Sequence, residues 1–150
     1  MFGMTDRKLA GDITEAVVLA EFIKAEFSVS LPFGENYRYD LIVDTGGHLL
    51  RVRCKTASPC GWNGDKACIR FHAYSARFVS RKYQDREAYR DQADLFAAYA
   101  PSTGQVYVLA VDDVPETDVW LRVKPPRHNN QFGIRLAEDH TLAAWASRQG

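Results

Sequence analysis

Apolar residues recur at helical spacing in the first part of the chain, over residues 5–27. This period predicts a long amphipathic helix. One apolar stripe consists of Leu9, Ile13, Ala16, Val17, Ala20, Ile23 and Phe27. A second stripe has carboxylates at its N-terminal end and apolar residues after them: Asp12, Glu15, Leu19 and Phe22. We therefore expect the helix to be covered on two sides, as a helix lying against a sheet is.

A different period follows, because residues 39–45 and 48–55 are rich in Val, Leu and Ile and are separated by Gly46 and Gly47. Two such segments joined by a Gly-Gly pair predict a β-hairpin. Since side chains alternate along a strand, the apolar positions of the second segment fall on one face and its basic positions on the other. The basic positions are Arg51, Arg53 and Lys55.

The later part of the chain predicts short strands and one short helix. Strands are expected at 67–72 and 120–123, a second hairpin at 94–100 and 106–111, and a helix within 134–147. Residues 94–100 can also be read as the end of a helix, and residues 58–65 have the composition of turns. Residues 74–92 are basic, aromatic and poorly periodic, so no element is assigned to them.

The composition indicates one soluble domain over residues 1–150. The chain has 150 residues, 46% hydrophobic and 25% charged. A chain of this length buries roughly 70% of the surface that it exposes when unfolded, so one hydrophobic core can stabilise it without disulfide bonds or a structural metal ion. Three cysteines, an odd number, favour a reducing compartment. With no signal peptide or membrane span in the sequence, we expect a cytoplasmic protein without a membrane partner.

The net charge of the chain argues against two classes of protein and leaves open a third, a protein with a local basic surface. The 19 basic and 19 acidic side chains sum to zero, which argues against a wholly basic DNA-packaging protein and against an acidic solvating segment. A local basic surface remains compatible with that sum. Over residues 70–90 basic side chains alternate with aromatic ones, a pattern that suits phosphate contacts. The alternative is a solvated face whose aromatic rings anchor in the core.

The residues that can carry chemistry are a carboxylate on the first helix, Glu15, and two residues of the first hairpin, Asp40 and Lys55. Metal-dependent cleavage of a phosphodiester needs oxygen ligands for a hard cation and a positive group near the attacked phosphate. These three residues can supply both. An Asp and a Lys on neighbouring strands are also common in sheets without any catalytic role.

Several segments resemble the PD-(D/E)XK nuclease superfamily, and in particular its group I intron-associated homing endonucleases. The resemblance rests first on Gly11-Asp-Ile-Thr-Glu15, on residues 30–43 including Asp40, and on Leu50-Arg-Val-Arg-Cys-Lys55-Thr. It continues through residues 94–99, 105–109 and 121–135 and so covers most of the chain. It implies an α/β fold with a restriction-endonuclease-like core, in which a central mixed sheet is flanked by helices.

The resemblance also implies residue roles. Asp40 matches the metal-binding aspartate, Glu15 the helix glutamate that completes the acidic site, and Lys55 the lysine that positions the nucleophilic water. The backbone carbonyl of Cys54 is the third expected metal ligand. The implied cofactor is Mg²⁺, for which Mn²⁺ may substitute. A structural alternative exists for Glu15, because Asp12 and Glu15 have the spacing of a helix capping box.

One position departs from the family pattern. Two residues before the lysine the family has Glu, Asp or Gln, and this chain has Arg53, which cannot ligate a metal. Three explanations are open. The ion is held by Glu15, Asp40 and the Cys54 carbonyl alone; Arg53 binds the scissile phosphate; or the site is degraded and the protein only binds DNA.

Together these features predict a Mg²⁺-dependent DNA endonuclease that acts on double-stranded DNA as a homo-oligomer, a dimer or a tetramer. The expected DNA contacts are Arg38, Arg53, Arg77, Arg81, Lys82, Arg86, Arg127, Asn129, Asn130 and Gln131. The alternative is a catalytically impaired DNA-binding module of the same fold. A structural or protein-interaction domain that binds no DNA is the third class.

Overall fold

A computed structural model of the chain describes residues 6–61, 66–80, 83–124 and 133–149, without the side chains of 77–80, 83 and 84. In chain order its elements are α1 (Arg7–Lys24), β1 (Ser28–Ser30), β2 (Leu41–Asp44), β3 (Leu49–Thr56), β4 (Ser58–Cys60), β5 (Cys68–His72), β6 (Tyr74–Ser80), β7 (Tyr83–Ala88), β8 (Leu95–Ala100), β9 (Gln105–Ala110), β10 (Asp118–Arg122) and α2 (Leu142–Ser147). Short 3₁₀ turns cover Val111–Asp113 and Ala137–His140. None of the helices in these described ranges is long and apolar enough to span a membrane.

The central sheet has five strands in the order β1-β2-β3-β8-β9. Strands β3 and β8 are parallel, with Val52 opposite Leu95, and the other pairs are antiparallel. The expected mixed sheet is therefore confirmed, as are both expected hairpins, β2–β3 around the Gly-Gly turn and β8–β9. Residues 94–100 form a strand, so their interpretation as the end of a helix is wrong.

Each face of the central sheet has its own apolar core. On one face both α-helices pack against the sheet through Val18 and Phe22 of α1 and Leu142 and Trp145 of α2. The opposite face is covered by a three-stranded antiparallel sheet, in the order β10-β5-β4, through Ile69, Phe71, Val119 and Leu121. The result is three layers: helices, a mixed sheet and a smaller sheet.

Helix α1 packs through a different face from the expected one. The buried positions are Thr14, Val18 and Phe22, whereas Ile13 and Ile23 are about half exposed, at 48% and 56%. Thr14 can be buried because its hydroxyl makes a 2.6 Å hydrogen bond with the hydroxyl of Thr56 at the end of β3. The prediction that the helix is covered on two sides is wrong.

The start of α1 also decides the role of Glu15. Asp6 caps the helix by accepting the N–H of Leu9 at 3.1 Å, and the helix begins at Arg7. Asp12 and Glu15 therefore lie in the helix interior, where no unpaired N–H groups are available to a capping box. The capping interpretation of Glu15 is wrong.

Two segments without a clear period form strands. Ser58–Cys60, expected as a turn, pairs with β5, with Cys60 opposite Cys68. The basic and aromatic stretch contains the hairpin β6–β7, in which Tyr74 is opposite Ala88. This hairpin is a two-stranded sheet of its own.

Candidate active site

Asp40 ends the loop before β2, and its carboxylate is held by β3. The N–H of Asp40 donates to the carbonyl of Val52 at 2.8 Å, which aligns the residue with the strand. Oδ2 accepts the N–H of Cys54 at 2.7 Å, and Oδ1 lies 3.2 Å from Nη1 of Arg53. The side chain is only 13% exposed, so this carboxylate is fixed in position.

Glu15 projects from α1 toward the same carboxylate. Burial, a hydrogen bond with Asp40 and the negative charge of Asp40 raise the pKa of Glu15, while the charge of Arg53 lowers it. Two carboxyl groups in contact repel each other strongly when both are ionised. The pair is therefore suited to share a proton or a cation, and the two acidic residues expected from the sequence lie side by side.

Arg53 occupies the space between Asp40 and the ring of Tyr89. Its Cζ lies 5.4 Å from the centre of that ring. Its Nε is buried and has no hydrogen-bond partner among the described residues. An unpaired buried donor costs free energy, so this N–H would gain from an incoming acceptor.

Lys55 lies on the same face of β3 as Arg53, as the alternation predicts. Its Nζ donates to the carbonyl of Tyr74 at 3.0 Å and lies 3.4 Å from the hydroxyl of Tyr89. Burial, followed by the charges of Arg53 and Arg38, lowers the pKa of Lys55 to about 7. At neutral pH a large share of this amine is uncharged, which suits it to proton transfer.

Arg38 connects the β6–β7 hairpin to these residues. Its Nη1 donates to Oγ of Ser75 at 2.6 Å, and Nη2 donates to the carbonyl of Ala88 at 3.0 Å. Its Nε donates to the side chain of Gln92, and its Cζ lies 4.0 Å from the centre of the Tyr89 ring. Arg38 therefore binds the base of the hairpin, and its expected DNA contact stays a prediction.

The sequence does not predict the part that Tyr89 plays. In the sequence it is one of several aromatic residues within a basic stretch, and in the structure it is 1% exposed and lies beneath three cations. The Tyr74 carbonyl that accepts from Lys55 is equally invisible, because a backbone group has no sequence signal.

Few of the expected DNA contacts can be placed in the structure. Arg86 is exposed on β7, and its Cζ lies 4.5 Å above the ring of Tyr74. The backbone of Arg77 pairs with Asp85, but its side chain is not described. Arg81, Lys82, Arg127, Asn129, Asn130 and Gln131 lie outside the described residues. A DNA-binding role for each of them stays a prediction.

An open cleft of about 330 Å³ gives access to the two carboxylates. It is formed by the loop between β1 and β2 on one side and by Glu15 and Asp40 on the other. The loop carries large exposed side chains at its rim: Leu31 and Tyr37 are 64% and 48% exposed. A substrate that reaches the carboxylates would therefore touch this loop.

The donor groups fit a water-rich Mg²⁺ site. Mg²⁺ is usually bound through one or two carboxylates and keeps several waters, and Glu15 and Asp40 supply two carboxylates. In the described part of the chain, no group of three or more His, Cys, Asp or Glu side chains forms that could hold a metal ion. Further ligands would come from water or backbone oxygens such as the Cys54 carbonyl. Arg53 competes with a cation for Oδ1 of Asp40.

Comparisons with known proteins agree with the fold. A family model described as PD-(D/E)XK endonuclease matches residues 5–143. The solved structure of a bacterial homing endonuclease, I-Ssp6803I, matches with a TM-score of 0.76 and 24% sequence identity, over 96% of this chain and 93% of that chain. This likeness confirms the fold. No curated protein sequence matches the chain.

Proposed function

The chain belongs to the PD-(D/E)XK endonuclease family, and from this premise we propose that it hydrolyses phosphodiester bonds of double-stranded DNA in a Mg²⁺-dependent reaction. The observation that carries the proposal is that the carboxyl groups of Glu15 and Asp40 line the same open cleft, close enough for Asp40 to raise the pKa of Glu15. Their proximity places two hard oxygen donors at an open cleft, and Lys55 lies on the neighbouring strand. A phosphodiester needs this combination for cleavage: oxygen ligands for a cation and a nearby amine.

In this proposal Asp40, Glu15 and the backbone carbonyl of Cys54 hold Mg²⁺, and Mn²⁺ can replace it. The cation, when bound, supplies Lewis-acid polarisation of the phosphate and a more acidic water. The hydrogen bond from the Cys54 N–H keeps the carboxylate of Asp40 in one orientation, so little reorganisation accompanies binding. A cation held by both carboxylates would offset the repulsion from Asp40 that raises the pKa of Glu15, and would so favour its ionised form.

Lys55 and Arg53 act on the substrate side of the proposed site. The uncharged form of Lys55 accepts a proton from the attacking water, and its charged form stabilises the phosphate as negative charge develops. Arg53 donates its Nε–H to a phosphate oxygen. This gives a partner to the buried side-chain donor that no described group accepts. This assigns the residue that departs from the family pattern to phosphate binding.

Cleavage of a supercoiled plasmid tests the proposal. With Mg²⁺ or Mn²⁺ we expect wild-type protein to produce nicked and linear DNA, and we expect Asp40→Asn and Lys55→Met each to lower the rate more than about 100-fold. Asp40→Asn preserves an acceptor for the Cys54 N–H, so the loop should stay in place. The matched control is Asp44→Asn at the far end of β2, where the carboxylate accepts the N–H of Gly46 in a turn.

The second candidate is a DNA-binding module with an impaired site, and the ion pair between Arg53 and Asp40 favours it. A wild-type chain that binds DNA but does not cleave it with either metal would support this candidate. Arg53→Gln then decides what limits the site. A gain of cleavage in Arg53→Gln identifies the guanidinium as the obstacle, whereas a loss in an active wild type supports phosphate binding by Arg53.

Cleavage of both strands requires two sites or two successive nicks, so we propose a dimer or tetramer as the active form. Light scattering coupled to size exclusion measures the mass in solution. A monomer that yields only nicked plasmid at low enzyme concentration would contradict the oligomer while leaving the hydrolytic proposal intact.

A further inference from the structure

Three cations surround one buried tyrosine ring. The distances to the centre of the Tyr89 ring are 4.0 Å for Cζ of Arg38, 4.7 Å for Nζ of Lys55 and 5.4 Å for Cζ of Arg53. The ring itself is only 1% exposed. Cations at these distances from a ring face are attracted by its quadrupole, and the attraction is larger where water is excluded.

Like charges so close together repel, and few carboxylates balance them. Arg53 has Asp40 at 3.2 Å, and Arg38 has the largely exposed Glu87 at 3.9 Å. Lys55 contacts two neutral groups, the Tyr74 carbonyl and the Tyr89 side chain. The π face of Tyr89 is thus the shared partner that offsets the repulsion among the three.

Tyr89 is itself held rigidly. Its carbonyl accepts the N–H groups of Gln92 and Ala93 at 3.0 and 3.1 Å, which fixes the backbone just after β7. Its ring meets the ring of Phe96 on β8 edge to face, with centres 5.6 Å apart and planes at 90°. The platform beneath the cations is therefore anchored both to the hairpin and to the central sheet.

From this arrangement we propose that Tyr89 is a positioning residue of the nuclease site. Its ring holds Arg38, Arg53 and Lys55 as one preorganised cationic array, and its hydroxyl limits the movement of the Lys55 amine. The inference rests on the proposed function, because the array has a use only where a phosphodiester brings the missing negative charge. Neither the family pattern nor the sequence assigns Tyr89 a role.

A matched set of variants separates positioning from simple packing. Tyr89→Leu removes the π face, and Tyr89→Phe retains it and removes the hydroxyl. Phe71→Leu is the control, because it removes a buried ring that also contacts Phe96 but has no cation over it in the described part of the chain. At saturating DNA we expect Tyr89→Leu to lower kcat about 10- to 100-fold with a smaller change in KM, since misplaced catalytic groups cost that much. Tyr89→Phe should recover most of this loss, and Phe71→Leu should lower kcat only in proportion to its folded fraction.

A second readout does not depend on activity. The Nε–H of Arg38 donates to the side chain of Gln92, so its proton should exchange slowly with solvent in the protein without DNA, and NMR measures that rate. We expect the exchange to become fast in Tyr89→Leu, where Arg38 is no longer held, and to stay slow in Tyr89→Phe and Phe71→Leu. If the wild type cleaves no DNA, the proposed function fails, and the exchange rate still decides whether Tyr89 organises the array.

Three results would overturn the inference. One is equal kcat in Tyr89→Leu and Phe71→Leu at equal folded fraction. The second is slow solvent exchange of the Arg38 Nε–H in Tyr89→Leu, because the array would then hold together without the ring. A Tyr89→Phe variant as impaired as Tyr89→Leu would transfer the role from the ring to the hydroxyl and would also contradict the platform.

Discussion

Lys55 lies in an environment that opposes its own charge. Burial and two neighbouring guanidinium groups lower its pKa to about 7, whereas an unfolded chain gives a lysine its ordinary value of about 10.4. The protein therefore sacrifices stability at this residue below neutral pH. Such a cost is typical of functional sites, where a group is tuned for chemistry and not for the folded state.

The cost of Lys55 has a defined pH dependence. Below pH 7 both states are protonated and the full penalty is present; between about pH 7 and 10 the unfolded chain binds more protons, so stability rises with pH. Lys55→Met should therefore raise the free energy of unfolding at pH 6 by about 2 kcal/mol, with a smaller gain near pH 10. Urea denaturation at both pH values measures this. Lys24→Met, at an exposed lysine on α1, should show no such pH dependence, and a loss of stability in Lys55→Met at pH 6 would contradict the account.

At the scale of elements, β3, the strand of Arg53 and Lys55, pairs in parallel with β8. An ion pair lies where this pairing begins. Asp94 accepts the backbone N–H of Arg51 at 2.8 Å and its guanidinium at 3.1 and 3.2 Å. Hydrogen bonds from Arg51 lower the pKa of Asp94 despite some burial. The pair joins the two strands just where β8 enters the sheet.

Asp94→Asn should destabilise the protein by about 1 kcal/mol at neutral pH, because the charged acceptor is lost while both side chains remain partly exposed to solvent. A lowered carboxyl pKa contributes stability above the unfolded value and loses it as pH falls through the folded value. The difference between wild type and variant should therefore shrink below about pH 4. Thermal unfolding at pH 7 and pH 3 measures it, and an equal difference at both pH values would exclude the ion pair as the cause.

A second contact fastens the helix that carries Glu15. Thr14 is buried on α1, and its hydroxyl meets that of Thr56, one residue beyond Lys55. Thr14→Val keeps the shape and removes the hydrogen bond, and we expect a loss of about 1 kcal/mol. Thr56→Val and the double variant complete a mutant cycle measured by urea denaturation. Additive single effects would show that the two hydroxyls do not stabilise the docking of α1.

The elements that the sequence predicts well are those whose surroundings impose a single pattern. The hairpin β2–β3 follows from alternation and a Gly-Gly turn, and the face shared by Arg53 and Lys55 follows from the same alternation. The buried face of α1 does not, because Thr14 counts as polar until its partner Thr56 is known. Hairpin β6–β7 is not predicted either, because its sequence shows no clear period, and it forms a two-stranded sheet separate from the central one.

The contacts of the candidate site also fall into those that the sequence predicts and those that it does not. The meeting of Glu15 with Asp40 can be expected from motif order, because the segments resemble a known nuclease pattern. The ion pair of Arg53 with Asp40 and the cations around Tyr89 depend on distances between residues far apart in the chain. No local period encodes such distances, so only the three-dimensional arrangement reveals them.

At the scale of the whole molecule, zero net charge conceals an uneven distribution. Three cationic side chains lie around Tyr89, while other basic side chains are paired with carboxylates. Arg90, for example, lies 2.6 Å from Glu116. A neutral protein can therefore still present a positive surface, and the salt dependence of binding measures that surface directly.

The last prediction concerns this surface. If Arg77, Arg81, Lys82 and Arg86 each neutralise one phosphate, log K for a short DNA duplex should fall with log salt with a slope of about −3.6, from about −0.9 for each contact. Arg86→Ala should reduce the magnitude of the slope by about 1, whereas Arg90→Ala, at a residue paired with Glu116, should leave it nearly unchanged. Fluorescence anisotropy with Ca²⁺ in place of Mg²⁺ measures binding without turnover. A flat salt response would mean that the hairpin does not follow the phosphate backbone. Equal effects of the two variants would mean the same, because the loss of a phosphate contact lowers the number of counterions released on binding, whereas the loss of a charge already paired with Glu116 does not.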